Sequence, residues 1–581
     1  MKKKHTQKRD QFGAHAIVEA FKRNGVEKVF IYPGGTIGPI LDVVEKETDI
    51  EIICPKNEQG AGFAALAYAK VTGKPAVYMV TSGPGVTNAV TPIADAYFDN
   101  VPMVVLTGQV GTSDLRGKIP VKQRGFQEVD TVDVLTPITK AAWLVTEPTE
   151  LPSVMEQAFA LAREGRGGPV VVDLPMNVQR AVISPRIVRA PAKKKSKSLP
   201  LPKKQLATLA DWIVKAERPV ILAGGGVIAA RAERQLRSLA DRFSIPVTMS
   251  LPGMGAYPSD KPLSLGLCGY VGSRYANLAL YNADLVIALG TTLHVRQTGS
   301  VPARMTPQGK VARIDVDEKE LDHSRVPLDL KIHADVGEAL TALNALLSKK
   351  ARTKGKTTAW LTSIEEWKKT HALVPEQQRG AYLKPQHVIE WASDALAGDV
   401  IVATGVGQHQ MWVPRHFSFS HPERQLLTSS GHGTMGFDLP AAIGAKMAAP
   451  RTKVLCVVGD GSFQMNIQEL AFIAERNLDI KILVLDNHAL NIVAQFQRQN
   501  WKSHPATGGK RNPNFADIAR AYGIDAVSVP SVRGAKEKIT KALKRKGPVL
   551  IHCEIDPQED ILPMLMGGKE LNDMNSESSF D

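Results

Sequence analysis

Two stretches of the 581-residue chain place hard oxygen donors beside glycine or at the end of an apolar run. In "VVGDGSFQMN" (457–466), Asp460 stands between Gly459 and Gly461 directly after such a run. Glycine on both sides lets the backbone turn sharply and approach a ligand with no Cβ in the way. In "LVLDNHALN" (483–491) a second run ends in Asp486 and Asn487. A carboxylate and an amide oxygen from two strand ends, completed by diphosphate oxygens, would make a site for Mg²⁺. The intervening "SFQMNIQELAFIAERN" (462–477) reads as one amphipathic helix whose first amides face an anion. A lone Gly-Asp-Gly is usually a plain turn, and Asn487 at the next strand end is what lifts this one above that. Glu58, in "CPKNEQGAG" (54–62), opens a helix, where an acid is most often a dipole partner.

Delivering such groups takes strands that end at ligands. Apolar runs that stop at Gly, Pro or Asp alternate with amphipathic segments along the whole chain, the pattern of parallel sheets covered by helices. A first set holds "KVFIYPGG", "AVYMVTSGPG", "MVVLTGQV" and "GPVVVDLP"; a second holds "RPVILAGGG", "IPVTMSL", "ADLVIALG" and "KVARIDVD"; a third holds "DVIVATGVGQ", the Asp460 and Asn487 strands and "GPVLIHCEID". The fold class expected is α/β, with three doubly wound parallel-sheet domains at 14–190, 205–348 and 380–567. A basic tail (1–13), linkers (191–204 and 349–379) and a polar tail (568–581) complete the division.

Composition narrows the function. The net charge of +14, from 72 Lys and Arg against 58 Asp and Glu, could indicate nucleic acid. Much of the excess sits in the tail, in "AKKKSKSLPLPKK" (192–204) and in "KRK" (544–546), with no stacking motif, so nucleic acid is not expected as a partner. No apolar segment approaches the roughly 20 residues of a membrane span, and no secretory signal is evident, so a cytoplasmic protein without membrane contact is expected. The four cysteines form no CxxC pair.

Longer strings carry a resemblance. "YPGGTIGPILD", "EQGAGFAALAYAKVTGKPAV", "TSGPGVTNAVTPIADAYFDNVPMVVLTGQV", "FQEVD", "GVGQHQMW" and "GTMGFDLPAAIGAK", together with the Asp460 and Asn487 motifs, resemble the catalytic subunits of acetolactate synthases, which depend on thiamin diphosphate. The likeness runs from about residue 14 to 560. It implies a pyrimidine-binding domain, a central nucleotide-binding domain and a diphosphate-binding domain, with active sites between the subunits of at least a homodimer. Asp460, Asn487 and the carbonyl of Ala489 would hold Mg²⁺. Glu58 would hydrogen-bond N1′ of the aminopyrimidine, with Met435 as the apolar wedge beneath the bent cofactor and Gln127 near the reacting centre. Gly34, Gly35, Gln408, His409, Gly433, Gly459, Gly461 and Ser462 would surround the cofactor, and Phe126, Lys140, Asn491 and Phe496 the substrate.

The middle domain resembles the family's FAD domain, which assigns Gly224, Gly225, Gly226, Ser250, Leu251, Gly290, Arg296, Asp315 and Asp335 to that cofactor. Arg296 could also assist an anionic substrate.

The resemblance predicts decarboxylation of pyruvate and transfer of its two-carbon unit to a second carbonyl substrate, by default another pyruvate, giving 2-acetolactate. A regulatory subunit is a further partner it implies. Departures leave the acceptor open between pyruvate, a keto-sugar and a cyclic-diketone substrate. Family synthases carry Asn, Gly, Met, Arg and Trp where this chain has Asp486, Asn491, Ile492, Ala494 and Phe496, and their loop between "GQV" and "FQE" is shorter. A noncatalytic nucleotide-binding relative is the alternative from another class; retention of Glu58, Asp460 and Asn487 argues against it.

Overall fold

The computed structural model describes residues 11–184, 199–350, 355–373, 380–420, 424–501, 503, 505–509 and 511–579. The first ten residues of the basic tail, most of the 191–204 linker and parts of the 349–379 linker lie outside them. Three six-stranded sheets form, parallel at every strand pair. The first runs Glu51–Ile53, Lys28–Tyr32, Ala76–Val80, Met103–Gln109, Pro169–Pro175, Ala141–Leu144 across the sheet. The third repeats that topology with Gln425–Leu427, Val400–Ala403, Lys453–Gly459, Ile480–Asp486, Val549–Glu554, Asp525–Val529. In both, the sheet reads 2-1-3-4-6-5 by chain order; the second sheet, with Pro219–Ala223 and Leu285–Leu289 at its centre, reads 3-2-1-4-5-6. Ligands of such sheets bind at the carboxyl edge, where the winding direction reverses.

Central strands such as Ile480–Asp486 are buried throughout, as strands covered on both faces must be. Two compact units result: the first sheet with its helices and the short pieces 431–434 and 443–450, and a second unit holding the other two sheets. No helix of the described residues is long and apolar enough to cross a membrane.

Two local expectations need correction, and the polar tail takes part in the fold. The segment 462–477 is not one helix. Helix Asp460–Met465 stops at Asn466, whose buried side chain donates to the Gly436 carbonyl at 2.7 Å, and a second helix starts at Glu469. The 349–379 stretch contains helix Thr358–Thr370, because Trp360 and Ile364, one turn apart, are buried against the second sheet and the Trp360 indole donates to the Pro219 carbonyl at 3.2 Å. The polar tail is also structured. Met564–Leu565 and Met574–Asn575 pair antiparallel, and Leu571 and Met574 are buried in the same cluster.

Candidate functional site

In the third sheet the reversal falls between strands Val400–Ala403 and Lys453–Gly459. Gln408 and His409 follow the first, Asp460 follows the second, and Asn487 ends the next strand over. The structure therefore brings these four predicted residues to one edge. Asp460 is buried, and its carboxylate accepts from Asn512 Nδ2 at 2.6 Å. The same Nδ2 donates to Asp486 Oδ1 at 2.7 Å, so two buried carboxylates share one amide. Burial first, and then the charge of Asp486, pushes the Asp460 carboxyl up to about 6. Burial opposes ionisation of Asp486 too, but His552 Nε2 at 2.9 Å, the His488 amide and Asn512 hold it below the usual carboxylate range. His488 adopts a left-handed φ of 56°, which turns the chain so that Asn487 Oδ1 accepts from the Ala489 amide at 3.2 Å.

Around this edge the chain is closely wired. Gln408, assigned to the cofactor, uses its amide on protein groups: Oε1 accepts from Asn487 Nδ2 at 3.2 Å, and Nε2 donates to Gln495 Oε1 at 3.1 Å and to the Glu559 carbonyl at 3.0 Å. His409 Nε2 lies 3.0 Å from Asp438 Oδ1. Asp438, fully buried, also receives the Gly405 amide and the Ser462 hydroxyl, and Ser462 Oγ accepts from Gly436 N at 2.8 Å. Ser462 thus ties the Gly436 turn to the Asp460 helix. A Cβ on Gly459 would come 2.9 Å from His409 Nδ1, and one on Gly461 would collide with Leu490 and reach within 3.4 Å of Met435 Cε. Gly459 leaves room for the His409 ring, a Cβ on Gly461 would have to push aside the end of the Leu490 side chain, and Met435 lies where the motif turns.

The two substrate residues expected on helix Asn491–Trp501 separate. Asn491 is buried and turned into the protein: Nδ2 lies 3.2 Å from the Pro557 carbonyl, and Oδ1 accepts from Arg498 at 3.3 Å, so it is a tether and not a substrate contact. Phe496 instead lines a cavity of about 250 Å³ with Tyr270, Arg296, Met411, Val493 and Met564. Arg296 Nη2 contacts Met411 Sδ at 3.9 Å, and its guanidinium forms no ion pair among the described residues.

In the second sheet the reversal lies between the ends of Pro219–Ala223 and Leu285–Leu289, where Gly224, Gly226 and Gly290 meet. A Cβ on Gly224 would collide with the Gly290 carbonyl, and one on Gly226 would come 2.7 Å from Gly290 Cα. These glycines pack on each other, while Gly225 faces Pro252. Ser250, beside Leu251, has a buried hydroxyl without a hydrogen-bond partner among the described residues. Asp315 is engaged by the fully buried Arg313 at 2.8 Å, and Asp335 caps helix Val336–Ser348. Both acids expected at a ribose or amide thus have protein partners.

In the first unit, Glu58 opens helix Glu58–Thr72 and is only 8% exposed. Its Oε2 accepts from Asn88 Nδ2 at 3.0 Å, and its backbone carbonyl accepts from the buried Tyr78 hydroxyl at 2.6 Å. Gly34 is where it is because a Cβ would run into Thr81; Gly35 has nothing within 4 Å, and neither has Gly433, at φ 79°. Gln127 takes a left-handed φ of 63° and packs on Gly83, while Phe126 is 84% exposed. Lys140 does not join this edge. It precedes the edge strand Ala141–Leu144, at the opposite end of the sheet, and its Nζ donates to the Arg166 carbonyl at 2.8 Å.

Asn88, Asp438, Gln495 and Asn512 escaped sequence reading. Each is a polar residue whose partner lies 24 to 87 residues away; for Asn88, Asp438 and Gln495 the only local signal is a charged or amide side chain among apolar neighbours, and Asn512, in a polar stretch, carries none.

Comparison with known proteins agrees with this division. Residues 12–134 match the family described as thiamine pyrophosphate enzyme, N-terminal TPP binding domain; 206–343 match its central domain, and 405–553 its C-terminal TPP binding domain. Acetolactate synthase 1, chloroplastic, of rice (Oryza sativa subsp. japonica) is 38% identical over 580 residues, 97% of this chain and 87% of that protein. The acetolactate synthase isozyme 1 large subunit of Escherichia coli is 38% identical over 576 residues, 97% and 98% of the two chains. The mitochondrial acetolactate synthase catalytic subunit of Saccharomyces cerevisiae is 37% identical over 592 residues, 97% and 83% of the two. With three thiamin-diphosphate enzyme domains in order and likeness over nearly its whole length, the chain belongs to the acetolactate synthase family of thiamin-diphosphate enzymes.

Proposed function

We propose that the protein is a thiamin-diphosphate- and Mg²⁺-dependent carboligase that decarboxylates pyruvate and joins the two-carbon unit to a second pyruvate, giving 2-acetolactate. The observation that carries this reading is the pairing of Asp460 and Asn487 after adjoining strands, Asp460 beside the point where the sheet reverses its winding and Asn487 one strand over. The donor set suits the metal. Burial, and after it the charge of Asp486, raises Asp460, and a hard divalent cation would offset both by compensating the carboxylate. Asp460, Asn487 Oδ1 and the Ala489 carbonyl would hold it.

Thiamin diphosphate, when bound, supplies the electron sink for loss of CO₂ and carries the two-carbon unit. The protein's share is orientation and proton placement. Glu58, secluded from water and steadied by Asn88, would hydrogen-bond N1′ of the aminopyrimidine, and seclusion would strengthen that bond. Met435, beside the Asp460 turn, would hold the cofactor's reacting groups together, a proximity effect. Arg296 pairs with the carboxylate of the acceptor, and Phe496 and its apolar neighbours receive the rest.

FAD in the middle domain is supported by the unpartnered Ser250 hydroxyl and by Arg296, which offer a polar contact and a cation to a dinucleotide. A homodimer with shared active sites is supported by the exposed apolar side chains Ile119, Val121 and Phe126 of one loop. A regulatory subunit fits relatives named as large or catalytic subunits, and a cytoplasmic location fits four unpaired cysteines. A mass balance on pyruvate with thiamin diphosphate and Mg²⁺ tests the reading: two pyruvates consumed per acetolactate and per CO₂ are expected. No pyruvate consumption, or CO₂ without acetolactate, would remove it.

A further inference from the structure

The hydrogen bonds around Gln408 extend beyond the metal site and carry directional information. Gln495 is fully buried on helix Asn491–Trp501 and uses both ends of its amide. Its Oε1 accepts from the Ile561 N–H at 3.0 Å and from Gln408 Nε2 at 3.1 Å, while its Nε2 donates to the Ile561 carbonyl at 3.1 Å. A side-chain amide can face a neighbour with either its oxygen or its nitrogen, and the surrounding donors and acceptors decide which.

Here the decision starts at a backbone, whose polarity cannot be reversed. The Ile561 N–H requires Gln495 Oε1; that oxygen requires Gln408 Nε2; Gln408 Oε1 is left facing Asn487 and requires Asn487 Nδ2, at 3.2 Å. Asn487 is thereby committed to turning its oxygen the other way, where the Ala489 N–H also meets it. The Glu559 carbonyl, 3.0 Å from Gln408 Nε2, reinforces the same choice.

We propose that Gln495 is a positioning residue for the divalent cation: acting through Gln408, it fixes the amide of Asn487 so that the oxygen and not the nitrogen faces the metal. This rests on the assignment of Asp460 and Asn487 as the cation site. Partners that orient a metal ligand are worth about 10–100-fold in metal affinity. The lower end applies here, because Glu559 keeps one hold on Gln408 when Gln495 is lost.

The test uses the full-length protein with thiamin diphosphate and reads free Mn²⁺ by electron paramagnetic resonance, with thermal melts of each variant alongside. Gln495→Leu is expected to weaken Mn²⁺ binding about tenfold. Gln495→Glu keeps both acceptor bonds but sets its second oxygen against the Ile561 carbonyl in place of the donor, so it should still hold Gln408 and bind Mn²⁺ close to wild type although it melts lower. Gln495→Asn, too short to span Gln408 and Ile561, replaces the Leu variant if that one does not fold. Unchanged Mn²⁺ affinity in the Leu or Asn variant, or losses that follow melting temperature in Leu and Glu alike, would overturn the relay. Absence of Mn²⁺ binding by the wild type, or indifference to Asp460→Asn, would overturn the cation site itself.

Discussion

Asp173, on the strand Pro169–Pro175 of the first sheet, allows a prediction whose sign and size both follow from its surroundings. It is 2% exposed and accepts from Thr107 Oγ1 at 2.6 Å and Gln109 Nε2 at 3.0 Å. Burial pushes its carboxyl up to about 7 from an ordinary 3.8, against the pull of those hydrogen bonds. A folded pKa above the unfolded one means that the native state holds the proton more tightly. The stabilisation is therefore complete below about pH 4 and is lost as pH rises through 7. The difference between about 7 and 3.8 is about three pH units, which at roughly 1.4 kcal/mol each sets an upper limit of about 4 kcal/mol. Asp173→Asn removes the titration while keeping an oxygen acceptor for one donor, and the Thr107 hydroxyl can turn to accept from the new amide. Relative to wild type, the variant should gain stability from pH 5 to about 7 and level off above it; those two pH units are worth about 3 kcal/mol, a differential melting shift of roughly 6–12 °C at about 2–4 °C per kcal/mol. Hydrogen exchange in Met103–Gln109 and Pro169–Pro175 localises the effect to this unit. A difference between variant and wild type that stays flat from pH 5 to 8 would refute the burial argument.

Glu58→Gln should cut acetolactate formation by about 100- to 10,000-fold, the range for a lost general acid–base group, while isothermal titration shows thiamin diphosphate still bound; unchanged turnover would exclude Glu58 from the chemistry. Phe496→Trp, which enlarges one wall of the cavity of about 250 Å³, should change the ratio of products from 2-oxobutyrate and pyruvate as acceptors by roughly 10–200-fold in a competition assay. Gly224→Ala places a Cβ against the Gly290 carbonyl, two rigid backbones with no flexible side chain to yield. A destabilisation of about 1–3 kcal/mol in the melt is expected, and weaker retention of added FAD follows where the middle domain binds it as proposed.

What could be read from the chain and what could not divide along a physical line. Strand ends were legible because burial writes continuous apolar runs and the turns at the reversal points need glycine: Gly34 against Thr81, Gly224 against Gly290, Gly459 against His409. The break at Asn466 was not, since the side chain that ends the helix is satisfied by Gly436, thirty residues away in sequence and invisible to periodicity. Helix Thr358–Thr370 carries its own signal in Trp360 and Ile364, but the cationic stretch before it made the region read as a linker. Asp438 opens helix Asp438–Ala448 and carries no further local signal, and only the tertiary structure turns His409, Ser462 and Gly405 toward it.

The departures from the family pattern bear on the acceptor according to where their side chains point. Asp486 is turned to His552 and Asn512, Asn491 to Pro557 and Arg498, and Ala494 is buried, so none of the three lines the cavity. Ile492, Val493 and Phe496 do line it, and with Met411, Met564 and Val271 they present hydrocarbon and thioether, leaving Arg296 and Tyr270 as the polar groups of the wall. A keto-sugar entering such a space would bury several hydroxyls without partners, each at a cost of about 1–3 kcal/mol. A small 2-oxo acid carries one carboxylate for one guanidinium and an alkyl group for the rest. If this cavity receives the acceptor, as proposed, its wall suits pyruvate or its next homologue, and Phe496 is the side chain placed to choose between those two, where one methylene is worth only about 1–3 kcal/mol.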